Sequence, residues 1–137
     1  MATQANFAAT PRVGSNNIST ACTDTSSTNG ITSKALIFAA GTNGSRIDSV
    51  QIKGAVAEGT TQAADSVRLW LYDGTTIHPF REQIVAAGSG NVSTTVPNVE
   101  YTLALGLTLP NGWSLYASTH TGGSTASYSV TAFGGDF

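Results

Sequence analysis

The chain has few charged residues, and this scarcity excludes one class of partner. Charged side chains make up 10% of the 137 residues, and the formal net charge is −2. Lys34 and Lys53 are the only lysines, and the four arginines are scattered along the sequence. Binding to nucleic acid needs clustered cations that displace counterions from the phosphates. We therefore expect no nucleic-acid partner.

Cysteine and long apolar runs are also scarce. Cys22 is the only cysteine, so it cannot form an internal disulfide, and the small secreted domains that depend on such bridges are excluded. The longest wholly apolar run is Ala35–Ala40, far below the roughly 18 residues of a membrane helix. No basic segment with an apolar run follows Met1. We expect no signal peptide, no membrane partner and synthesis in a cytoplasm.

Small uncharged residues dominate what is present. Threonine, serine, glycine and alanine supply 68 of the 137 residues. The exposed faces of helical bundles are built from glutamate, lysine, arginine and glutamine, which are rare here. The composition therefore excludes coiled coils and amphipathic helical folds.

Apolar residues alternate with small or polar residues along several segments. Every odd position in 99–109 is apolar, and the same period of two recurs in 67–71 and 50–56. This period predicts β-strands that turn one face toward a core. Ile47 is out of phase with the run that begins at Val50, which predicts a bulge near 48–49.

Turn residues separate these segments into eight predicted strands. Asp73-Gly74 predicts a hairpin turn, 110–112 breaks the chain, and 59–65 is predicted as a loop. The strands are predicted near 11–21, 31–40, 45–57, 66–73, 76–86, 98–109, 113–120 and 125–133. The predicted inward residues are Val67, Leu69, Leu71, Val99, Tyr101, Leu103, Leu105 and Leu107.

Many short strands with regular turns indicate an all-β fold, an antiparallel β-sandwich of jelly-roll kind. Residues 1–137 form a single domain in this interpretation. The first thirty residues are poorer in large apolar groups, and two interpretations of 1–13 stay open. One is an extended N-terminal arm that reaches a neighbouring subunit. The other is a frayed terminus followed by an edge strand, to which Pro11 is suited.

Candidate residues for catalysis are few. A nucleophile needs a base beside it, and His120 follows Ser118 and Thr119 closely enough for such a pair. His78 is the other histidine, and neither has a second histidine at metal-ligand spacing. Glu82 and Glu100 are the best candidates for a pair of glycosidase carboxylates. Solvated or paired side chains explain all of these residues more simply than catalysis does, so we expect no enzyme, no metal and no cofactor.

Two aromatic residues fall on the unexpected side of a predicted strand. Trp70 and Tyr72 lie on the face opposite Val67 and Leu69. Aromatic residues concentrate at contact sites, which favours a subunit interface or a ligand platform. A sheet buried on both faces is the alternative. The low charge of the chain favours burial against other subunits.

Several segments together resemble a family of small virion-associated proteins of tailed bacteriophages and prophages. The resemblance covers nearly the whole chain and concerns strand-and-turn segments, with no catalytic motif. The segments are Thr10-Pro11-Arg12-Val13-Gly14, Gly44-Ser45-Arg46-Ile47-Asp48-Ser49-Val50, Val67-Arg68-Leu69-Trp70-Leu71-Tyr72-Asp73-Gly74, Leu109-Pro110-Asn111-Gly112-Trp113-Ser114-Leu115, Ala117-Ser118-Thr119-His120 and Val130-Thr131-Ala132-Phe133-Gly134-Gly135-Asp136-Phe137. The last four residues also match a signature of diguanylate cyclases, but that signature belongs inside a larger α/β domain.

The family resemblance implies a structural part of a phage particle made in the cytoplasm of a host bacterium. We expect a head decoration (cement) protein that binds the major capsid protein on the outer surface of the head. A tail or fibre accessory, a host-glycan-binding module and a head–tail connector component are the alternatives. A homo-oligomer, a trimer at capsid three-fold junctions, is expected. The residues expected to contact the capsid or a second subunit are Phe7, Arg12, Val13, Trp70 and Tyr72.

Overall fold

The computed structural model describes residues 10–56, 61–89, 99–121 and 126–137. Within these ranges the chain forms ten β-strands, one 3-10 turn and no α-helix. The strands are β1 (Thr10–Ile18), β2 (Ala35–Ala39), β3 (Ser45–Val56), β4 (Thr61–Gln62), β5 (Asp65–Tyr72), β6 (Ile77–Val85), β7 (Gly88–Ser89), β8 (Val99–Leu109), β9 (Ser114–Thr119) and β10 (Ala126–Asp136). The 3-10 turn is Ser27–Asn29. The described residues contain no helix of the length and hydropathy needed to cross a membrane.

The strands pair in a nested order. β5 and β6 form a hairpin, and outside it β4 pairs with β7, β3 with β8, β2 with β9 and β1 with β10, always antiparallel. The long strands form sheet A, in the order β1-β10-β3-β8, and sheet B, in the order β2-β9-β5-β6. One antiparallel ribbon rolled into two four-stranded sheets gives this arrangement, which is the jelly roll. The predicted fold class is confirmed.

The structure contains all eight strands that the sequence predicts. Their ends differ from the predicted ones by at most four residues. The β3–β8 register shifts between Ile47 and Ser49, which confirms the predicted bulge. Gly106 lies in the β8 segment at this shift with a φ of 55°, a conformation that glycine adopts without strain. The predicted loop 59–65 instead contains β4 and the first residue of β5.

The core lies between the two sheets. Val67 and Leu69 are buried there as predicted. Leu71 and four β8 side chains are only half-buried and pack against the edge of the core, and the side chain of Val99 lies outside the described part. β8 is an edge strand of sheet A, so its inward side chains line the open side of the sandwich. The half-buried β8 residues are Tyr101, Leu103, Leu105 and Leu107.

Leu103→Ala should therefore destabilise the protein by less than about 2 kcal/mol, the lower end for a fully buried leucine. Its side chain is half-buried, so the substitution removes fewer contacts and leaves a gap that opens toward solvent. Urea unfolding followed by far-UV circular dichroism measures the change. Leu115→Ala, at a fully buried position, is the matched comparison and should be clearly larger. Equal losses for the two variants would contradict this assignment.

Candidate functional site

The predicted contact residues do not form one surface. Phe7 lies outside the described residues. Arg12 and Val13 lie on β1 of sheet A, whereas Trp70 and Tyr72 lie on β5 of sheet B. Residues 10–13 of the predicted arm belong to β1, which is an edge strand paired with β10. The interpretation of 1–13 as an arm is therefore limited to 1–9, which the structure does not describe.

Arg12 makes contacts within its own chain. Its Nη1 atom donates to the backbone oxygen of Ala39 at 3.0 Å and to Asp136 Oδ1 at 2.8 Å. The guanidinium carbon lies 4.7 Å from the centroid of the buried Phe38 ring. Since Ala39 and Phe38 belong to sheet B, Arg12 joins the two sheets where β1 meets β2. The structure thus gives Arg12 a structural role that the sequence prediction of a contact cation missed.

Asp136 is the centre of this corner. Besides the bond from Arg12, it accepts a hydrogen bond from Ser45 Oγ, and Ser45 Oγ accepts one from the backbone nitrogen of Gly41 at 2.8 Å. Hydrogen bonds from Ser45 and then from Arg12 are the main reasons that the pKa of Asp136 lies below its ordinary value. We call Arg12, Ser45 and Asp136 the corner clasp. It fixes the two ends of the described chain to β3.

The glycines before Asp136 also have a structural reason. A Cβ atom on Gly134 would lie 2.0 Å from the backbone oxygen of Arg46, so β10 can approach β3 this closely only with glycine there. Gly135 is buried. The close β10–β3 contact and the corner clasp account for this C-terminal segment, which the sequence showed as a match to a cyclase signature.

Asp136→Asn should make the stability less dependent on acid. The folded-state pKa of Asp136 is lowered, so its contribution is fully present above the unfolded pKa and is lost as pH falls through the folded value. Urea midpoints measured from neutral pH down to about pH 3 should fall less steeply in the variant than in the unaltered chain. Asp48→Asn is the control, because Asp48 belongs to an exposed ion pair with Arg46. A variant with the full acid dependence would contradict the role of the clasp.

Val13 and Phe133 form an exposed apolar pair on the outer face of sheet A. They are direct partners across β1 and β10, and their side chains are 65% and 40% exposed. The next outward pair is polar, with Ser15 Oγ and Thr131 Oγ1 hydrogen-bonded at 2.9 Å. Val13 is therefore placed where a contact is possible. The sequence analysis did not select Phe133. The inward residues of β10 stand at even positions, so the odd position of Phe133 predicts an outward side chain.

Trp70 is fully buried on the outer face of sheet B. Its Nε1 atom donates to Ser118 Oγ at 2.8 Å, and Lys34 Nζ lies 4.6 Å from the centroid of its ring system. Lys34 in turn donates to Asp24 Oδ2 at 2.7 Å. The segment between β1 and β2 thus covers this part of the sheet. At Trp70 the alternative interpretation, a sheet buried on both faces, is therefore the correct one. Trp70 has no exposed surface for a second subunit.

Tyr72 lies in a less covered part of the same face. It is half-buried and packs edge-on against Tyr116, with ring centroids 5.9 Å apart. Tyr116 pairs with the exposed Leu36 on β2. We call Leu36, Tyr72 and Tyr116 the aromatic shelf. A subunit contact at Tyr72 stays a prediction.

The structure separates most of the candidate catalytic residues. Ser118 accepts the bond from Trp70, and Thr119 Oγ1 donates to Asp65, so neither hydroxyl is directed to His120 by the bonds described. His120 Nδ1 is buried without a hydrogen-bond partner in the described part of the structure. The sequence interpretation of a Ser-His pair receives no geometric support.

The other histidine and the two glutamates have separate local partners. His78 Nε2 lies 3.0 Å from Asp73 Oδ2, and bonds from His78, Thr76 and Thr75 lower the pKa of Asp73 to about 2. The candidate pair of glutamates is split: Glu82 lies on β6 of sheet B, and Glu100 on β8 of sheet A. Among the described residues, no three of His, Cys, Asp and Glu form a group that could hold a metal.

Comparison with known proteins does not assign the chain to a family. No family model matches the sequence, and no curated protein matches it. One chain of a solved structure described as "Structure of infectious bursal disease virus Gt strain" is 20% identical, with a TM-score of 0.27. The match covers 98% of this chain and 34% of that viral chain, so this chain spans about a third of its length. A likeness at this TM-score carries no argument, and the jelly-roll assignment stands on strand order alone.

Proposed function

We propose that this protein is a structural component of a bacteriophage particle that decorates the outer surface of the head. In this role it binds the major capsid protein and stabilises the assembled capsid. The observation that carries the proposal is the exposed apolar pair of Val13 and Phe133 on the outer face of sheet A, beside the polar pair of Ser15 and Thr131. Exposed apolar patches with a polar surround are typical of protein contacts. The family resemblance of the sequence supports the same role.

The proposed mechanism is bridging by a symmetric homo-oligomer, a trimer. Each subunit contacts a different capsid position, so weak individual contacts add up to tight binding. Because the oligomer binds only the assembled capsid, it stabilises that state by mass action. The aromatic shelf is the candidate contact between subunits. The capsid contact predicted at Phe7 falls in 1–9, outside the described residues. The role needs neither catalysis nor a cofactor.

Binding to phage heads that lack the protein tests the capsid contact. The double variant Val13→Ser with Phe133→Ser should lose most of its binding, because it removes the exposed apolar area and keeps the strands. Ile84→Ser is the matched control, since Ile84 is 63% exposed but lies on sheet B. A truncation of 2–9 that leaves β1 intact should weaken binding as well. Bound protein is measured by gel densitometry of sedimented heads.

The thermal stability of the heads gives a second readout. Heads saturated with the unaltered protein should rupture at a higher temperature than bare heads, and heads mixed with the double variant should behave as bare heads. Full decoration by the double variant would contradict the contact at Val13 and Phe133. Localisation of the unaltered protein on tails would contradict head decoration and support the tail-accessory alternative.

A further inference from the structure

A cleft opens on the outer face of sheet B where two strands lose their register. The β5–β6 pairing shifts between Leu69 and Trp70, and Phe80 has no Cα partner at that shift. The cleft has a volume of about 280 Å³. Phe80 is 36% exposed beside it. The cleft is lined by Arg68, Phe80, Arg81 and Glu82, together with the fully buried Trp70.

An arginine and a glutamate are paired in the cleft. A second arginine, Arg81, also lines it, and its Nη1 atom donates to the backbone oxygen of Ala104 on sheet A at 3.4 Å. Arg68 Nε donates to Glu82 Oε1 at 3.0 Å, and Arg68 Nη1 donates to the backbone oxygen of Asp24 at 2.8 Å. Hydrogen bonds from Ser66 and then from Arg68 lower the pKa of Glu82, so its carboxyl group is ionised at neutral pH. A guanidinium carries five N–H donors and a carboxylate about four acceptor positions. Both groups therefore keep hydrogen-bonding capacity for a ligand.

The charges restrict the chemistry of that ligand. Arg68 and Glu82 form an ion pair with no net charge, so the pair offers a simple anion or a simple cation no net attraction. An apolar ligand would remove water from both charged groups without replacing its hydrogen bonds, which costs free energy. A neutral ring with neighbouring hydroxyl groups satisfies both, because one hydroxyl can donate to the carboxylate while the next accepts from the guanidinium. The C–H face of such a ring can pack against Phe80.

We propose that this cleft binds one neutral sugar ring of a glycan. Its volume is slightly below the roughly 300–1,000 Å³ of clefts that hold drug-sized ligands, which limits the occupant to about one ring. Val13 and Phe133 face outward from sheet A, whereas the cleft opens on the outer face of sheet B. A subunit docked through sheet A therefore presents the cleft away from the capsid. The inference goes beyond head decoration and does not depend on it.

Saturation-transfer NMR on the purified full chain tests the proposal. The probes are the methyl glycosides of glucose, galactose, mannose and N-acetylglucosamine, with sialic acid as an anionic and glucosamine as a cationic comparison. At least one neutral glycoside should receive saturation, strongest on its ring C–H protons, and the charged sugars should receive less. Phe80→Ala and Glu82→Gln should each weaken binding about tenfold or more. Ile84→Ala, on the same strand but outside the cleft lining, should leave binding unchanged.

The use of two variants keeps the sugar-binding test decisive even if one of them fails to fold. Glu82→Gln conserves size, removes the charge and replaces one acceptor oxygen by an NH2 donor, so it decides the test if Phe80→Ala fails to fold. No transfer to any neutral glycoside overturns the proposal, and so does equal transfer in the unaltered chain and Glu82→Gln. Head binding is measured separately, and Glu82→Gln should keep it in full. Failure of the sugar site and failure of head decoration are therefore distinguishable.

Discussion

Trp70→Ala is expected to lower the free energy of unfolding by about 3–5 kcal/mol. The indole is fully buried between sheet B and the segment that precedes β2. Its removal leaves a cavity beneath Lys34 and takes the hydrogen-bond donor from Ser118 Oγ. The loss therefore combines missing contacts, a cavity and a buried hydroxyl deprived of its donor. Urea unfolding followed by the fluorescence of Trp113, the other tryptophan, measures it.

Two comparisons separate these contributions. Trp70→Phe keeps an aromatic ring in the cavity but removes the bond to Ser118, so its loss should be intermediate. Phe133→Ala removes a similar amount of side chain at an exposed position and should change stability little. A Trp70→Ala variant no less stable than Phe133→Ala would show that the covering segment does not pack as described.

Gly14→Ala is expected to destabilise the protein by more than the about 1–3 kcal/mol of ordinary overpacking. A Cβ atom at this position would lie 2.1 Å from the backbone oxygen of Ile37. The obstacle is backbone and cannot rotate away, so β1 and β2 must separate. That movement also strains the bond from Arg12 to Ala39. Differential scanning calorimetry should show a large fall in the melting temperature.

Ser15→Ala is the neighbouring control for Gly14→Ala. Ser15 is exposed, and its loss removes one surface hydrogen bond to Thr131. We expect only a small change in the melting temperature. If Gly14→Ala were as mild as this control, the close approach of β1 to β2 would be wrong.

The sequence predicts the strands well because their signals are local. Alternation places the inward residues of β5, and turn residues such as Gly74 and Gly112 stand at the observed turns with positive φ. The bulge at Ile47 is visible as a change of phase within one strand. Each of these signals depends on neighbours along the chain, so a single sequence is enough to see it.

The roles of the candidate site residues depend on distant partners, which a single sequence does not show. Arg12 meets a carboxylate 124 positions away, so its structural role is invisible from its neighbours. Lys34 has a fully buried side chain, although an isolated lysine in a polar segment predicts exposure. The segment that carries Lys34 also covers Trp70, and this contact between distant parts of the chain is equally invisible in the sequence. The cleft likewise depends on a register shift between two strands that alternation does not mark.

The nested pairing of the strands, from β5–β6 at the centre to β1–β10 at the outside, favours one order of folding. The β5–β6 hairpin closes a loop of four residues, 73–76, whereas β1 and β10 are separated by more than a hundred positions. The entropy lost on closing a loop grows with its length, so the hairpin can form first and each outer pair then closes a gap that the inner pairs have shortened. We therefore expect the chain to fold from its middle outward, with the pairing of β1 and β10 formed last. We expect the amide hydrogens of β1 to exchange with solvent before those of β5.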